Sequence, residues 1–393
     1  MTRETTPSGP DGSRQAPPQD ARPGRLKPAI FAVIATVIGL ILLEGLLSLM
    51  WLAIDARAFR RSRPTIQSAR LEEHHSQHDP ELGWRHIPGK RIADFYGPGA
   101  SITINADGFR DEEPILDRKP ADRFRLVCLG DSLTMGYGVD DRQTYPFLME
   151  TLNPRLQTVN MGQGGYSIGQ CWLWYKEVSE RLDADALIFV FIVDDLRRMG
   201  ETLTENGYSR PSFALQEGRI VTGDQPVPQK IDIGQPVFEA GAWTRFIVEH
   251  NALSRTISSA AGRFRPQPAG DPDLLAVTLA MFDALHDDCR ARERPFALVL
   301  LPTFFEIPGM EGYDEGMERL NRSLAASVGA HAARRGIPFI DLYPAVTSLP
   351  VEQIRPLFLD ETYHHYSPAG NEFIARTLDD RLGRAMHGYP SPS

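Results

Sequence analysis

The stretch Phe124-Arg125-Leu126-Val127-Cys128-Leu129-Gly130-Asp131-Ser132-Leu133 decides how this chain is read. From Phe124 to Leu129 only Arg125 is polar, and the run is cut off by Gly130-Asp131. A short apolar run with that boundary predicts a strand buried on both faces, as in a parallel sheet. Ser132 then stands at the carboxyl end of the strand and enters a turn containing Gly136 and Gly138. A serine so placed suits nucleophilic attack, and the backbone N–H groups beside it can point at a developing oxyanion. The plainer reading is a turn or helix cap at Asp131-Ser132. The spacing is not the Gly-x-Ser-x-Gly elbow of the α/β-hydrolases.

Outward from this strand the same pattern repeats. Gln157–Asn160, Ala186–Val193, Phe296–Leu301 and Pro338–Leu342 read as further strands. Between and after them, Gln143–Leu152, Ser167–Arg181, Pro272–Arg292, Tyr313–Arg335 and Ser367–Met386 carry helical periodicity. Asp271-Pro272 and Ser367-Pro368 look like N-caps with proline in the first turn, and Gly336 after Arg334-Arg335 is a helix stop. Strands alternating with helices predict an α/β protein, a three-layer α/β/α sandwich on a mostly parallel sheet of five strands. In such a sheet the working site lies at the carboxyl ends of the strands. Residues 199–270, rich in Pro and Gly and carrying Phe213, Trp243 and Phe246, read as an insertion. It either covers the site or forms a small satellite core.

At the other end of the chain, residues 1–27 hold almost nothing to bury and are expected to be disordered. Residues 28–54 are apolar save for Glu44, Ser48 and small side chains. From Ala29 to Ile54 a helix rises about 39 Å, enough to cross a bilayer core of roughly 30 Å with some tilt. A carboxyl group at mid-membrane costs about 2–3 kcal/mol, so Glu44 is expected to be protonated, to snorkel or to face a partner helix. A cleaved signal peptide is the competing reading, since Ala56-Arg57-Ala58 resembles a cleavage site, but the apolar run is longer than a signal core. Basic residues flank the run on both sides, so charge does not set its orientation. Residues 55–77 follow as a juxtamembrane linker, 78–386 as the catalytic-type domain and 387–393 as a tail.

Composition excludes other classes. Lys+Arg against Asp+Glu is 42 − 51 = −9, which gives no basic footprint for nucleic acid. Three scattered cysteines, Cys128, Cys171 and Cys289, make neither a disulfide framework nor a zinc site. His74, His75 and His78 beside Asp79 have ligand chemistry, but a solvated linker explains them and no metal is assigned. Trp172 and Trp174 lie on an amphipathic helix and read as packing residues.

Three further motifs sit at strand ends. Asn160-Met161-Gly162-Gln163-Gly164-Gly165-Tyr166 follows the second strand, and its glycines allow a close backbone approach and an N–H donor. Asp194-Asp195 follows the third. Asp360-Glu361-Thr362-Tyr363-His364-His365-Tyr366-Ser367-Pro368-Ala369-Gly370-Asn371 opens the last helix and offers a histidine after a carboxylate, the base and orienting acid that a serine needs. Four signals in order at the ends of successive core elements make coincidence a poor explanation.

This constellation resembles the SGNH/GDSL hydrolases, a family of esterases, lipases and acyl-group enzymes with a flavodoxin-like fold. The resemblance spans residues 78–386. It implies Ser132 as nucleophile, Gly165 as a backbone oxyanion donor beside Ser132 itself, and His365 as base. His365 is chosen over His364 because Ser367, Pro368 and Gly370 fit the family's spacing only from His365. Asp79-Pro80-Glu81-Leu82-Gly83-Trp84 and Asn105-Ala106-Asp107-Gly108-Phe109-Arg110 match a stretch seen in membrane-anchored members, which implies a domain outside the cytoplasmic membrane, as in the periplasm.

Two departures stand out. Asp194 occupies the position of the family's oxyanion-hole Asn; ionised it would repel the oxyanion, protonated it could donate. The family's acid sits three residues before the histidine, where this chain has Thr362, leaving Asp360 as first candidate, Glu361 as second, or a Ser–His dyad. The expected activity is hydrolysis of an O-acyl or O-acetyl ester, on a cell-envelope glycan or a lipid, with no cofactor. An acyltransferase using the same residues and a non-catalytic binding protein are the alternatives.

Overall fold

The computed structural model describes residues 26–115, 119–204, 207–223, 225–228, 272–359 and 365–390. These fall into two compact units that part at Arg57. The first is the N-terminal part of helix α1 (Leu26–His75). Within it Ile30–Met50 has a mean hydropathy of 2.6 and none of the window is buried; it is the one helix among the described residues long and apolar enough to cross a membrane. The tail read as disordered lies almost wholly outside the described residues.

The second unit begins with the rest of α1 and two small antiparallel hairpins. β1 (Ser76–Asp79) pairs with β2 (Gly83–His86), and β3 (Arg91–Ile92) with β4 (Ile102–Thr103). Then come β5 (Phe124–Gly130), α2 (Ser132–Met135), α3 (Tyr145–Leu152), β6 (Leu156–Gly162), α4 (Ile168–Val178), β7 (Ala186–Phe191) and α5 (Val193–Arg197). The hairpin of β8 (Ser212–Gln216) and β9 (Arg219–Gly223) belongs to the insertion. After it run α6 (Pro272–Ala291), β10 (Phe296–Leu300), α7 (Glu315–Arg335), β11 (Phe339–Asp341), the short helices α8 (Tyr343–Thr347) and α9 (Val351–Ile354), and α10 (Pro368–Ala385).

Five strands form one parallel sheet in the order β11-β10-β7-β5-β6. Each of the five expected strands and five expected helices is present, with ends moved by a few residues. The third strand stops at Phe191 rather than Val193 because the Asp195 carboxylate accepts the Ile192 N–H at 3.1 Å and starts α5. Successive side chains of a strand point to opposite faces, and two cores result. Val127, Leu129, Leu187, Phe189 and Leu298 face α4, α6 and α7, whereas Leu126, Cys128, Ile188, Val190 and Val299 face α3 and α10. Fully burying one such aliphatic chain contributes about 1.5–3 kcal/mol. Arg125 survives inside β5 because it donates to the Leu182 carbonyl at 2.6 Å and to Gln157 at 2.9 Å. Trp172 and Trp174 are buried in the first core, and all three cysteines are buried and unbridged. Phe213 of the insertion also joins that core, not a satellite; Trp243 and Phe246 lie outside the described residues.

The order places β6 on one side of β5 and β7 on the other, so the chain reverses direction across the sheet at β5. A crevice opens at the carboxyl ends of strands where the order reverses. Ser132 is two residues beyond the end of that strand.

Candidate active site

The turn after β5 is built by capping. Asp131 adopts extended backbone, and its Oδ1 accepts the Leu133 N–H at 2.9 Å, so α2 starts with Ser132. Gly136 ends α2 one turn later with φ 84°, a left-handed cap that glycine adopts without strain. Arg110, from the upstream stretch, fastens this turn by donating to the carbonyls of Met135 at 2.9 Å and Val139 at 2.7 Å.

Ser132 and His365 are 233 positions apart, yet His365 Nε2 lies 2.8 Å from Ser132 Oγ. A hydroxyl donating to an unprotonated imidazole nitrogen is the contact a general base requires. Several bonds hold the histidine there. Its carbonyl accepts the Leu359 N–H at 2.7 Å, and the Tyr366 hydroxyl donates to Pro302 O at 2.7 Å. Ser367 caps α10 by accepting the Gly370 N–H at 3.1 Å. Asn371, one turn into α10, donates to the carbonyls of Tyr366 and Ser367 and accepts the buried Tyr145 N–H at 3.0 Å. The Tyr137 ring lies 4.9 Å from the imidazole. Asp360, Glu361 and His364 lie outside the described residues.

Gly165 is on the loop after β6. Gly162 allows that strand to end against α2: a Cβ on it would sit 1.9 Å from the Met135 nitrogen. The loop is then gripped from three sides. Trp84 Nε1 donates to Gly164 O at 3.1 Å, the Tyr166 hydroxyl donates to the Trp84 carbonyl, and Arg210 Nη2 donates to Gly165 O at 2.8 Å. Neither the Ser132 N–H nor the Gly165 N–H donates to a group among the described residues.

Asp194 stands in the first turn of α5, its carboxylate paired with Arg197 and lying 3.3 Å from Arg198 Nη2. Asp195 is buried, and burial first and the neighbouring Asp131 second push its carboxyl well above the usual range. Arg198 ties these acids together: its Nη1 donates to Asp195 at 2.6 Å, to Asp131 at 3.2 Å and to Tyr166 O at 3.3 Å. A second guanidinium, Arg210, pairs with Glu201 and lies over Trp84 at 5.6 Å. Burial, then Arg198, lowers Arg210 to about 10, so it stays cationic at neutral pH. Two cations therefore flank the backbone of the Gly165 loop.

Arg198 is the residue a reading of the sequence passes over, although it lies three and four positions after Asp195 and Asp194, the spacing of helical ion pairs. Asn371 and Trp84 were within matched motifs without an assigned task. Burial overturns one expectation: His75 is wholly buried, not part of a solvated linker, and His78 Nε2 donates to the Val227 carbonyl at 3.0 Å.

The profile of the GDSL-like lipase/acylhydrolase family matches residues 128–373, more than half of the chain. No curated protein sequence matches it. Among solved structures it is similar to a member of the lipolytic G-D-S-L family from Veillonella parvula at 12% identity, covering 66% of this chain and 99% of that one with TM-score 0.37. It is likewise similar to a putative acylhydrolase from Bacteroides fragilis (14%, 68% and 91%, TM-score 0.38). A catalytic mutant of an acetylxylan esterase from Geobacillus stearothermophilus is a third (13%, 68% and 97%, TM-score 0.39). The matched span begins inside β5 and ends inside α10, and so takes in both Ser132 and His365: the chain belongs to the GDSL-like lipase/acylhydrolase family and is an ester-hydrolysing enzyme.

Proposed function

We propose that this chain is a membrane-anchored serine esterase that removes an O-acyl or O-acetyl group from a cell-envelope glycan or a lipid. The observation that carries the reading is the 2.8 Å contact between His365 Nε2 and Ser132 Oγ at the carboxyl end of β5. Ser132 Oγ attacks the acyl carbonyl while its proton passes to His365 Nε2. The N–H groups of Ser132 and Gly165 receive the oxyanion. His365 returns the proton to the leaving alcohol, and the acyl-serine remains. Water, deprotonated by His365, then attacks the acyl-serine, and His365 passes that proton to Ser132 Oγ as the acid is released. Asp360 is assigned to orient His365. Asp194 acts through Arg198 rather than as a donor, because its carboxylate is taken up by two guanidinium groups.

The helix Ile30–Met50 supports the anchor, and the upstream motif shared with anchored relatives supports a periplasmic domain. The full chain in detergent should hydrolyse p-nitrophenyl acetate and react with a fluorophosphonate, and Ser132→Ala should do neither. A folded wild-type chain that fails to label would sink the serine mechanism. Carbonate-resistant sedimentation with membranes, and protease access from the periplasmic side only, test anchor and orientation separately.

A further inference from the structure

The last turn of α1, the end of β2 and the Gly165 loop converge on a cluster that the ester chemistry does not use. Glu72 and His75 share one face of α1 at i, i+3, and His86 meets them from β2. One ligand atom from each of the three lies within 4.8 Å of the others, and all three residues are buried. One ion can take only one nitrogen of His75: its Nδ1 is 3.3 Å from the Nδ1 of His86, and its Nε2, on the other side of the ring, is 3.6 Å from Glu72 Oε2. Bonds of about 2.0–2.1 Å in a tetrahedron hold their ligand atoms roughly 3.3 Å apart.

Donors around the cluster are arranged as an ion would need. His86 Nε2 lies 3.0 Å from the Gly162 carbonyl, which can only accept, so Nε2 carries the proton and the Nδ1 lone pair faces the cluster. An imidazole that donates its far N–H to a carbonyl is the usual outer support of a metal-bound histidine. Ser76 donates to Glu72 Oε1 at 2.7 Å and Gln163 donates to the same oxygen, leaving Oε2 toward His75. His75 Nε2 has no hydrogen-bond partner, although its side chain is fully buried. Among the described residues, no Lys or Arg lies within ion-pair distance of Glu72. Glu72 also abuts the loop backbone: a Cβ on Gly164 would fall 2.2 Å from its Oε2.

We propose that Glu72, His75 and His86 bind one divalent cation of the Zn2+ type, with Ser76 Oγ or water in the fourth position. Two imidazoles and one carboxylate are a zinc-type donor set. The ion would pin the end of α1 and the β1–β2 hairpin to the loop that carries Gly165, a structural role that needs no part of the proposed ester mechanism.

The test uses the full chain in detergent, without a histidine tag, stripped by chelator and titrated with Zn2+. Expected are one ion bound per chain by mass spectrometry, a higher melting temperature at about 100 μM Zn2+, and with Co2+ the visible bands of a tetrahedral site. His86→Ala should weaken binding about 100-fold or more, whereas His78→Ala should leave it unchanged. If His86→Ala does not fold, the wild-type titration decides. A stripped wild type that takes up less than about 0.1 ion per chain and shows no shift in melting overturns the proposal. So does undiminished binding in folded His86→Ala. The cluster is then a hydrogen-bonded network sharing protons.

Discussion

Replacing Arg198 by Gln is the sharpest test of how the acids near Ser132 are held. In the native protein one guanidinium, 19% exposed, serves Asp131 and Asp195, whose side chains are 2% and 3% exposed, and the half-exposed Asp194. Glutamine keeps a donor but loses the charge, so two buried carboxylates face each other without a cation. Removing one partner of a buried ion pair costs about 3–5 kcal/mol, a large share of a stability of roughly 5–15 kcal/mol. At about 2–4 °C per kcal/mol the melting temperature should fall on the order of 10 °C. The sign of the pH dependence follows from Asp195, whose folded pKa is raised well above its unfolded value. Such a group adds stability below the unfolded pKa and loses it as pH rises through the folded one. Without Arg198 its charged form is costlier still, so the deficit of the variant should shrink as pH falls from about 8 to about 5. Tryptophan fluorescence of the full chain in detergent reads this, since Trp84, Trp172 and Trp174 are buried in the same unit. Arg197→Gln is the control: its guanidinium is 45% exposed and, among the described residues, pairs only with Asp194, and its loss should cost less than about 1 kcal/mol. An Arg198→Gln protein within about 0.5 kcal/mol of wild type at pH 8 would falsify the account of the cluster.

Other expectations are simpler. Ser132→Ala and His365→Ala should each lower kcat for p-nitrophenyl acetate by about 10⁴-fold or more, and the double variant should be little worse, because the two act as a unit. Asn371→Ala strands the buried Tyr145 N–H and loosens the segment bearing His365; about 1–3 kcal/mol of stability should go, with kcat falling more than KM rises. Gly162→Ala forces a Cβ onto the α2 backbone. It should cost more than about 2 kcal/mol and disturb fluorophosphonate labelling of Ser132, whereas Gly89→Ala, where a Cβ meets nothing within 4 Å but φ is 72°, should cost only about 1 kcal/mol of backbone strain.

Asp194, at the position where the resemblance leads one to expect Asn, has a physical context in these contacts. An acid there lets α5 collect Arg197 and Arg198, and Arg198 in turn reaches the capping Asp131 and the Tyr166 carbonyl next to Gly165. In the proposed mechanism the negative charge of Asp194 is matched by the two guanidinium groups it pairs with.

Much of this was legible along the chain because it is written in local patterns. Apolar runs ending in Gly-Asp-Ser or Asn-Met-Gly mark strands and the turns after them, since only glycine and short polar side chains suit those turns. Ser367 and Gly336 mark helix ends because unpaired backbone groups there need a cap or a left-handed residue. Ser132, Gly165 and His365 could be picked out for the same reason: each occupies a strand end or a helix start. What no local pattern encodes is which distant groups meet. Gln163 and Glu72 touch across 91 positions, and Ser132 and His365 across 233. The sign of the environment at Asp194, the burial of His75 against His86 and the grip of Trp84 and Arg210 on the Gly165 loop follow from such meetings. They arise because the parallel sheet gathers the carboxyl ends of its strands into one crevice, where charge and solvent access are set by neighbours far away in sequence.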